Sequence, residues 1–257
     1  MSFIDHLGEL RQRLLITFGV VIVVFVVVFN YSEELLKFLM FPMEKELVFK
    51  LKSPFVFFAS KNLKNVSLVF IQPAEAFWMH LKISMMAAVV ITMPVVLTQI
   101  WLFVAPGLLP NEKKFALPFI VSGCVLFLMG TAFCFFIILP FALGFLLTYK
   151  TQSLTAMISI GSYVDFNIKF LLAFGLVFEL PIVILFLTRF GIVTPEKLAK
   201  SRRYAIVLAF IIAGVLTPTP DAFNQTLMAV PMIVLYEIGI IASKIIFPKS
   251  KAIMKED

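Results

Sequence analysis

Residues 170–187, which read FLLAFGLVFELPIVILFL, form an uninterrupted apolar run with a single charge, Glu179. A run of this length spans a bilayer as a helix. A carboxylate near the bilayer centre costs a few kcal/mol, so an acid at this depth usually serves a function. Pro181 follows two residues later and removes a backbone donor, which predicts a kink beside the acid. The alternative is a protonated Glu179 that hydrogen-bonds to a neighbouring helix and stabilises the bundle.

The rest of the chain is equally apolar. Its 257 residues are 61% hydrophobic, with a mean hydropathy of +1.03, whereas soluble domains are about 45–50% apolar. Since no long polar stretch could fold separately, the sequence predicts one all-α integral membrane domain over residues 1–257. It contains no phosphate loop, dinucleotide fingerprint or metal-ligand cluster, so we expect no cofactor, no metal and no catalytic residues. The net charge of +7 is read by its position around a membrane, not as a sign of nucleic-acid binding.

The apolar runs predict six membrane-spanning helices, at about 14–29, 77–104, 115–139, 165–187, 204–216 and 222–247. The fifth run covers only about 20 Å at ~1.5 Å per residue, less than the ~30 Å thickness of the hydrocarbon core. The sixth run carries the polar Gln225 near its start. We therefore expect short fifth and sixth helices, which would thin the bilayer locally or leave a depression.

The segments outside the apolar runs also show patterns of charged and apolar residues. Residues 1–13 alternate apolar and charged positions at helical spacing, which predicts an amphipathic helix on the membrane surface. Within it, Glu9 and Arg13 have the spacing of an ordinary i,i+4 ion pair. Residues 30–72 interleave charges with Leu and Phe, which predicts short amphipathic pieces over one mouth of the bundle. The connection 105–114 is tight, and by loop position alone its Glu112 is a solvated acid.

The distribution of positive charge predicts the orientation. Six spans place both termini on one side, and thirteen of the 22 Lys and Arg residues lie on that side. Most of the others lie in or beside the long loop, and only Lys150 and Lys169 lie elsewhere on the opposite side. The positive-inside rule therefore places both termini in the cytoplasm, the tail 244–257 included, and the loop 30–72 outside. Glu9 and Glu112 then share the cytoplasmic face, where two carboxylates would suit guanidinium groups that accept bidentate pairing.

Four blocks of sequence carry a resemblance to a known family. Residues 6–14 read HLGELRQRL, and residues 94–108 read PVVLTQIWLFVAPGL, followed by Glu112. Residues 174–181 read FGLVFELP, and the last block combines TPTPD at 217–221, QTL at 225–227 and YEIG at 236–239. In order and spacing they resemble TatC, the receptor subunit family of the twin-arginine protein translocase.

The resemblance implies a cup-like bundle of six helices in the cytoplasmic (inner) membrane, and a receptor rather than an enzyme. It implies binding of signal peptides that carry consecutive arginines. It also implies export of folded proteins together with small single-span partners of the TatA and TatB type, driven by the proton-motive force. Such a subunit works in homo- and hetero-oligomers.

Individual residues take their expected roles from the same resemblance. Glu9 and Glu112 match the positions that bind the arginine pair, and Arg11 and Arg13 match positions that shape the same face. Glu179 matches the acid on the concave face of the bundle. Pro42 matches a functional proline of the external loop, and Gln225 matches a polar residue that faces partner helices. One position departs from the family: many relatives carry an acid where Ser159 stands, and Asp165 lies six residues further on, so the role of Asp165 stays open.

Two other classes of function compete with this interpretation. A proton-coupled secondary transporter or channel would use Glu179 as its titrating group, but such folds often show internal repeats and the sequence shows none. An intramembrane hydrolase would need a nucleophile and a base at the same depth. His80 is the only histidine near a span, and no matching Ser or Cys signature accompanies it.

Overall fold

The computed structural model describes residues 3–49, 56–60, 67–107, 113, 116–148, 157–217 and 221–246. Its helices are α1 (Phe3–Phe29), α2 (Ser32–Glu44), α3 (Glu75–Val104), α4 (Ala116–Phe133), α5 (Leu139–Thr148), α6 (Ile160–Phe178), α7 (Leu180–Arg189), α8 (Pro195–Lys200), α9 (Arg202–Leu216) and α10 (Ala222–Ile246). A 3₁₀ turn at Ala105–Gly107 ends α3, and a π-helical turn at Cys134–Ile138 joins α4 to α5. The four strands are β1 (Lys45–Phe49), β2 (Val56–Ser60), β3 (Ser67–Val69) and β4 (Met157–Ser159).

The protein is a polytopic helical membrane protein, as the sequence predicted. Five stretches of the described residues are long and apolar enough to cross a membrane, namely His6–Phe29, Glu75–Gly107, Ala116–Leu147, Ile160–Arg189 and Ala222–Ile246. The predicted fifth span is α9, whose 15 residues cover about 22 Å and fall short of the hydrocarbon thickness. The expectation of a short α9 is thus confirmed.

The sixth helix ends within one residue of its predicted bounds, but it is not short as expected. α10 is continuous for 25 residues, about 37 Å. Its polar start does not shorten it, because the Gln225 side-chain amide donates to the carbonyl of Phe210 over 2.9 Å. The Asp221 carboxylate, one residue before the helix, accepts a hydrogen bond from the backbone N–H of Asn224 over 2.7 Å. An acid in this position satisfies a free N–H at a helix N-terminus.

The first helix differs from the prediction in its continuity. Residues predicted as a separate amphipathic helix are the first turns of α1, which runs unbroken for 27 residues into the first span. α1 packs along α3, and α3 also packs against α2, α4 and α6. The face of the N-terminal turns is therefore placed against the last turns of α3.

The long loop between the first two spans is folded. After α2, β1 and β2 form an antiparallel hairpin in which Lys45 pairs with Ser60 and Phe49 with Val56. β3 pairs in parallel with β4, with Leu68 opposite Ile158. The interleaved charges did not predict these strands, and the pair of β3 and β4 joins this loop to the segment that leads into α6.

The core lies where α6 packs against α3 and α4, and it includes the large buried side chains of Phe127, Phe170 and Phe174. Two glycines permit the close approach of α4 and α6. A Cβ added at Gly130 would lie 2.6 Å from the carbonyl oxygen of Phe174, and one added at Gly175 would lie 2.6 Å from the ring of Phe127. Small residues of this kind let transmembrane helices approach closely and gain dispersion contacts.

Substituting Gly130 by Ala is expected to destabilise the protein by about 1–3 kcal/mol, because the added methyl would meet backbone on a neighbouring helix. The unfolding temperature of the purified protein in detergent should fall by several degrees. Gly19→Ala is the matched control, since a Cβ at Gly19 has no neighbour within 4 Å and alanine favours the helix. Equal unfolding temperatures for the two variants would contradict the close contact.

Candidate functional site

The N-terminal face of α1 forms a polar cluster with the end of α3. The Arg13 guanidinium donates from Nη2 to Glu9 Oε1 over 3.1 Å, and from Nη1 to Gln99 Oε1 over 3.4 Å. The predicted i,i+4 ion pair is therefore present, but it also reaches a second helix. We refer to Glu9, Arg13 and Gln99 as the guanidinium cluster.

This cluster is mostly enclosed. The side chains of Glu9 and Arg13 are 17% and 26% exposed. Glu9 Oε2 and Arg13 Nε are buried and find no hydrogen-bond partner among the residues that the structure describes. One turn earlier, the rings of His6 and Phe103 stack with centroids 4.3 Å apart. The carboxylate of Glu9 therefore retains an unused acceptor in a partly desolvated setting, where a charged hydrogen bond is strong.

Gln99 is the member of this cluster that the sequence did not assign. It lies 86 residues from Arg13, so helical spacing could not connect the two. Its only sequence signal was its place inside the second block of family resemblance. Arg11 is exposed and makes no hydrogen bond or ion pair with described residues. Glu112 lies outside the described residues, so its predicted proximity to Glu9 is not tested.

Glu179 lies at a break in the fourth span. α6 ends at Phe178, α7 begins at Leu180, and Pro181 stands in the first turn of α7, which confirms the predicted interruption beside the acid. The residue is 9% exposed. Its carboxyl faces α4, where a Cβ added at Gly123 would lie 3.3 Å from Oε2 and 2.7 Å from the Leu97 side chain. The missing side chain of Gly123 thus makes room for the acid.

No described residue donates a hydrogen bond to Glu179 Oε1, which is buried. Unpaired polar atoms at this depth are costly. The interpretation of Glu179 as a bundle-stabilising acid requires a hydrogen bond to a neighbouring helix, and Oε1 has none within the described part of the chain. The geometry instead provides a buried acceptor at a break in a helix.

Gln225 connects the last two helices. Its hydrogen bond to the Phe210 carbonyl crosses from α10 to α9, and a Cβ added at Gly214 would lie 3.0 Å from its Nε2. Beside it, α9 exposes a stripe of apolar side chains at i, i+4 and i+8: Val207, Ile211 and Val215. Whether Gln225 faces a partner helix stays a prediction.

Pro42 lies inside α2 and is buried. A proline within a helix leaves a carbonyl of the preceding turn without its usual donor and disturbs that turn. In that turn the Leu39 carbonyl accepts a hydrogen bond of 2.7 Å from the hydroxyl of Tyr163, a buried residue of α6. This contact fixes α2 to the core.

The departure at Ser159 has a structural counterpart. The carboxylate of Glu75, on α3, accepts hydrogen bonds from the Ser159 hydroxyl and from the backbone N–H groups of Gly161 (2.7 Å), Ile71 (2.7 Å) and Gln72 (3.3 Å). The Glu75 carboxylate of α3 therefore contacts Ser159, the position at which many relatives are expected to carry an acid.

Asp165, whose role the sequence left open, pairs with Lys82. The Lys82 ammonium lies 2.7 Å and 2.9 Å from the two carboxylate oxygens of Asp165. Together with the contacts of Glu75, this ion pair joins α3 to α6 near the end of the bundle that carries the strands.

The loop before α9 is also fixed to α10. Arg202 makes a two-point contact with Glu237, from Nε to Oε1 over 2.7 Å and from Nη2 to Oε2 over 2.8 Å. The Tyr236 hydroxyl donates to the Leu198 carbonyl over 2.9 Å. These contacts position the start of the short helix α9.

Comparisons with known proteins agree with this architecture. A model of the family described as TatC, Sec-independent protein translocase protein, matches residues 5–231. The Sec-independent protein translocase protein TatC of Carboxydothermus hydrogenoformans is 39% identical over 249 residues, which cover 97% of this chain and 95% of the relative. The protein of that name from Aquifex aeolicus is 36% identical over 257 residues, covering 99% and 100%. A crystal structure of the twin arginine translocase receptor TatC in DDM superposes with a TM-score of 0.80 at 35% identity, over 93% of this chain and 99% of that chain.

Removing the Glu75 carboxylate is expected to loosen the contact between α3 and the start of α6. Glu75→Ala leaves the Ser159 hydroxyl and three backbone N–H groups without their acceptor, so its unfolding temperature should fall below that of Ser159→Ala, which removes one of these donors together with the acceptor of the Ser162 N–H. Glu34→Ala, which removes an exposed acid of α2, is the control. An unchanged unfolding temperature for Glu75→Ala would show that water replaces the network without loss.

Proposed function

The chain belongs to the Sec-independent protein translocase (TatC) family, and on that premise we propose that it is the receptor for signal peptides bearing two consecutive arginines. The family transports proteins and is not enzymatic, and this member is a multi-pass membrane protein. We further propose that both termini lie in the cytoplasm and that the guanidinium cluster faces the cytoplasmic surface of the inner membrane.

The observation that supports the proposal most directly is that this face already holds a guanidinium group. Arg13 lies between a carboxylate and an amide oxygen contributed by two helices. Both are acceptors that a guanidinium binds, and the carboxylate supplies the compensating charge. A signal-peptide arginine would therefore meet groups already arranged around its own chemistry.

The proposed contacts assign one arginine of the pair to Glu9 and the other to Glu112, with Arg11 and Arg13 bordering the site. A guanidinium presents two parallel N–H groups to a carboxylate, whereas an ammonium presents a point charge. The partial burial of Glu9 strengthens the difference, because a desolvated carboxylate gains more from a second hydrogen bond.

Export would involve the membrane-embedded half of the molecule. Glu179 supplies a buried acceptor at the break between α6 and α7, and Gln225 lies beside the exposed apolar stripe of α9. Such a stripe suits a single-span helix of the TatA or TatB type, with Glu179 and Gln225 offering polar contacts to helices that assemble around the peptide. The proton-motive force would drive the assembly and the passage of the folded cargo.

Binding of a labelled signal peptide to the purified protein in detergent tests the receptor assignment. We expect a peptide with Arg-Arg to bind more tightly than one with Lys-Lys. Glu9→Gln and Glu112→Lys should each weaken Arg-Arg binding by roughly ten- to a hundredfold, since each removes a charge-assisted contact of about 1.5–3 kcal/mol.

The control for this experiment is Glu34→Lys, which changes the charge of an exposed acid on the loop predicted to be external. It should leave the affinity unchanged. Equal affinity for Arg-Arg and Lys-Lys peptides in the wild type would contradict guanidinium recognition. An unaltered affinity in Glu112→Lys would remove that residue from the site.

Substitutions at Glu179 test its role in transport separately from peptide binding. In cells that produce the partner subunits, Glu179→Gln should retain part of the export of a folded Arg-Arg reporter, because the amide still accepts a hydrogen bond. Glu179→Ala should lose most export while peptide affinity persists. Glu196→Ala, at an exposed acid of α8, serves as the control. Wild-type export by Glu179→Ala would reduce Glu179 to a packing role.

A further inference from the structure

The guanidinium cluster places an arginine of the chain itself on the carboxylate that the proposed function assigns to the peptide. Arg13 Nη2 lies 3.1 Å from Glu9 Oε1, and no second hydrogen bond joins the two side chains among the described contacts. The other carboxylate oxygen is buried and unpaired. The pair is thus a single-point contact that leaves half of the carboxylate unused.

An incoming guanidinium meets this arrangement as a competitor. Glu9 Oε2 has almost no exposed surface, so a two-point contact with the carboxylate requires the Arg13 guanidinium to move. After this movement Arg13 would still have a hydrogen-bond acceptor, the Gln99 side-chain oxygen. Its Nη1 already lies 3.4 Å from Gln99 Oε1, at the long end of hydrogen-bond distances, and would shorten that contact on leaving Glu9.

We propose that Arg13 is an internal competitor for Glu9, that an incoming peptide guanidinium displaces it onto Gln99, and that the cost of this displacement leaves a net gain at Glu9 for an arginine peptide and none for a lysine peptide. The inference rests on the proposed function and deepens it by naming Arg13 and Gln99 as residues that set the affinity for the peptide.

The preference follows from counting hydrogen bonds in the exchange. A peptide arginine replaces the single-point contact of Arg13 by a two-point contact, so Glu9 gains a hydrogen bond. A peptide lysine offers a point charge that replaces one single-point contact by another, and it gains nothing from the displacement. Without Arg13 neither peptide has a competitor, so both should bind more tightly by the same factor, and the lysine peptide then gains one contact with Glu9.

Arg11 provides a matched control for charge. It is exposed and makes no hydrogen bond or ion pair with any described residue, yet it lies on the same helix two positions from Arg13. Arg11→Gln and Arg13→Gln remove the same positive charge from the approach of a cationic peptide. Only Arg13→Gln removes the competitor from Glu9.

The experiment measures dissociation constants of Arg-Arg and Lys-Lys signal peptides for the wild type, Arg11→Gln and Arg13→Gln in detergent. We expect Arg13→Gln to bind the Arg-Arg peptide about three- to tenfold more tightly than Arg11→Gln does, as loss of one partly exposed charged contact implies. Arg13→Gln should also bind the Lys-Lys peptide more tightly than Arg11→Gln does, by a similar factor, because the cost of displacing Arg13 is common to both peptides. Weaker binding by Arg13→Gln than by Arg11→Gln would make Arg13 a residue that positions Glu9 and would overturn the proposal.

Gln99 is tested through a double-mutant cycle. Gln99→Leu should weaken Arg-Arg binding in the wild type by about threefold or more, because the displaced Arg13 then has no acceptor. In the Arg13→Gln background the same substitution should leave Arg-Arg binding unchanged, since no displaced guanidinium then needs the Gln99 oxygen as an acceptor. An equal effect in both backgrounds would overturn the role of Gln99.

A spectroscopic readout covers the case in which Arg13→Gln fails to fold. In protein labelled with ¹⁵N-arginine, the Nε–H signal of Arg13 is assigned by its loss in Arg13→Lys. Saturation with Arg-Arg peptide should shift it, and an unmoved signal would overturn the proposal. A wild type that binds neither peptide would refute the proposed receptor function, and this inference with it. A wild type that binds the Arg-Arg peptide while the Arg13 signal stays unmoved would refute the inference alone.

Discussion

Helices inside a bilayer gain no hydrophobic stabilisation from associating with one another, because lipid tails are as apolar as their side chains. This bundle depends instead on close contacts at small residues and on polar contacts near helix ends. Gly130 and Gly175 bring α4 and α6 together at distances that a methyl group would not permit.

α3 connects these two kinds of contact and links the two ends of the molecule. At one end, Glu75 and Lys82 join it to the start of α6. At the other end, Gln99 contacts Arg13 of α1 and Phe103 stacks on His6. The same helix therefore contacts the folded part of the loop between the first two spans and the proposed peptide-binding face. The break at Glu179 lies between these ends, beside the glycine of α4 that makes room for it.

Sequence patterns predicted the features that depend on local chemistry. Hydrophobic length predicted the spans and the shortness of α9, and Pro181 predicted the break beside Glu179. Contacts between distant segments were not predictable in this way. The polar Gln225 near the start of α10 donates to the Phe210 carbonyl of α9, and the guanidinium cluster includes Gln99, which is far from Arg13 in the chain. Spacing predicted the pair of Glu9 and Arg13 but not the contact with Gln99. The interleaved charges of residues 30–72 did not indicate the three short strands β1, β2 and β3.

We propose that the arginine pair of a signal peptide binds where α1 meets the end of α3. Photo-cross-linking with a signal peptide that carries a benzophenone side chain next to its arginine pair tests it most directly, with the Lys-Lys peptide as control. We expect Arg-Arg-dependent adducts within residues 6–13 and 99–114, as mapped by mass spectrometry. Adducts concentrated on α2 or along α9, or adducts equally abundant with the Lys-Lys peptide, would contradict it.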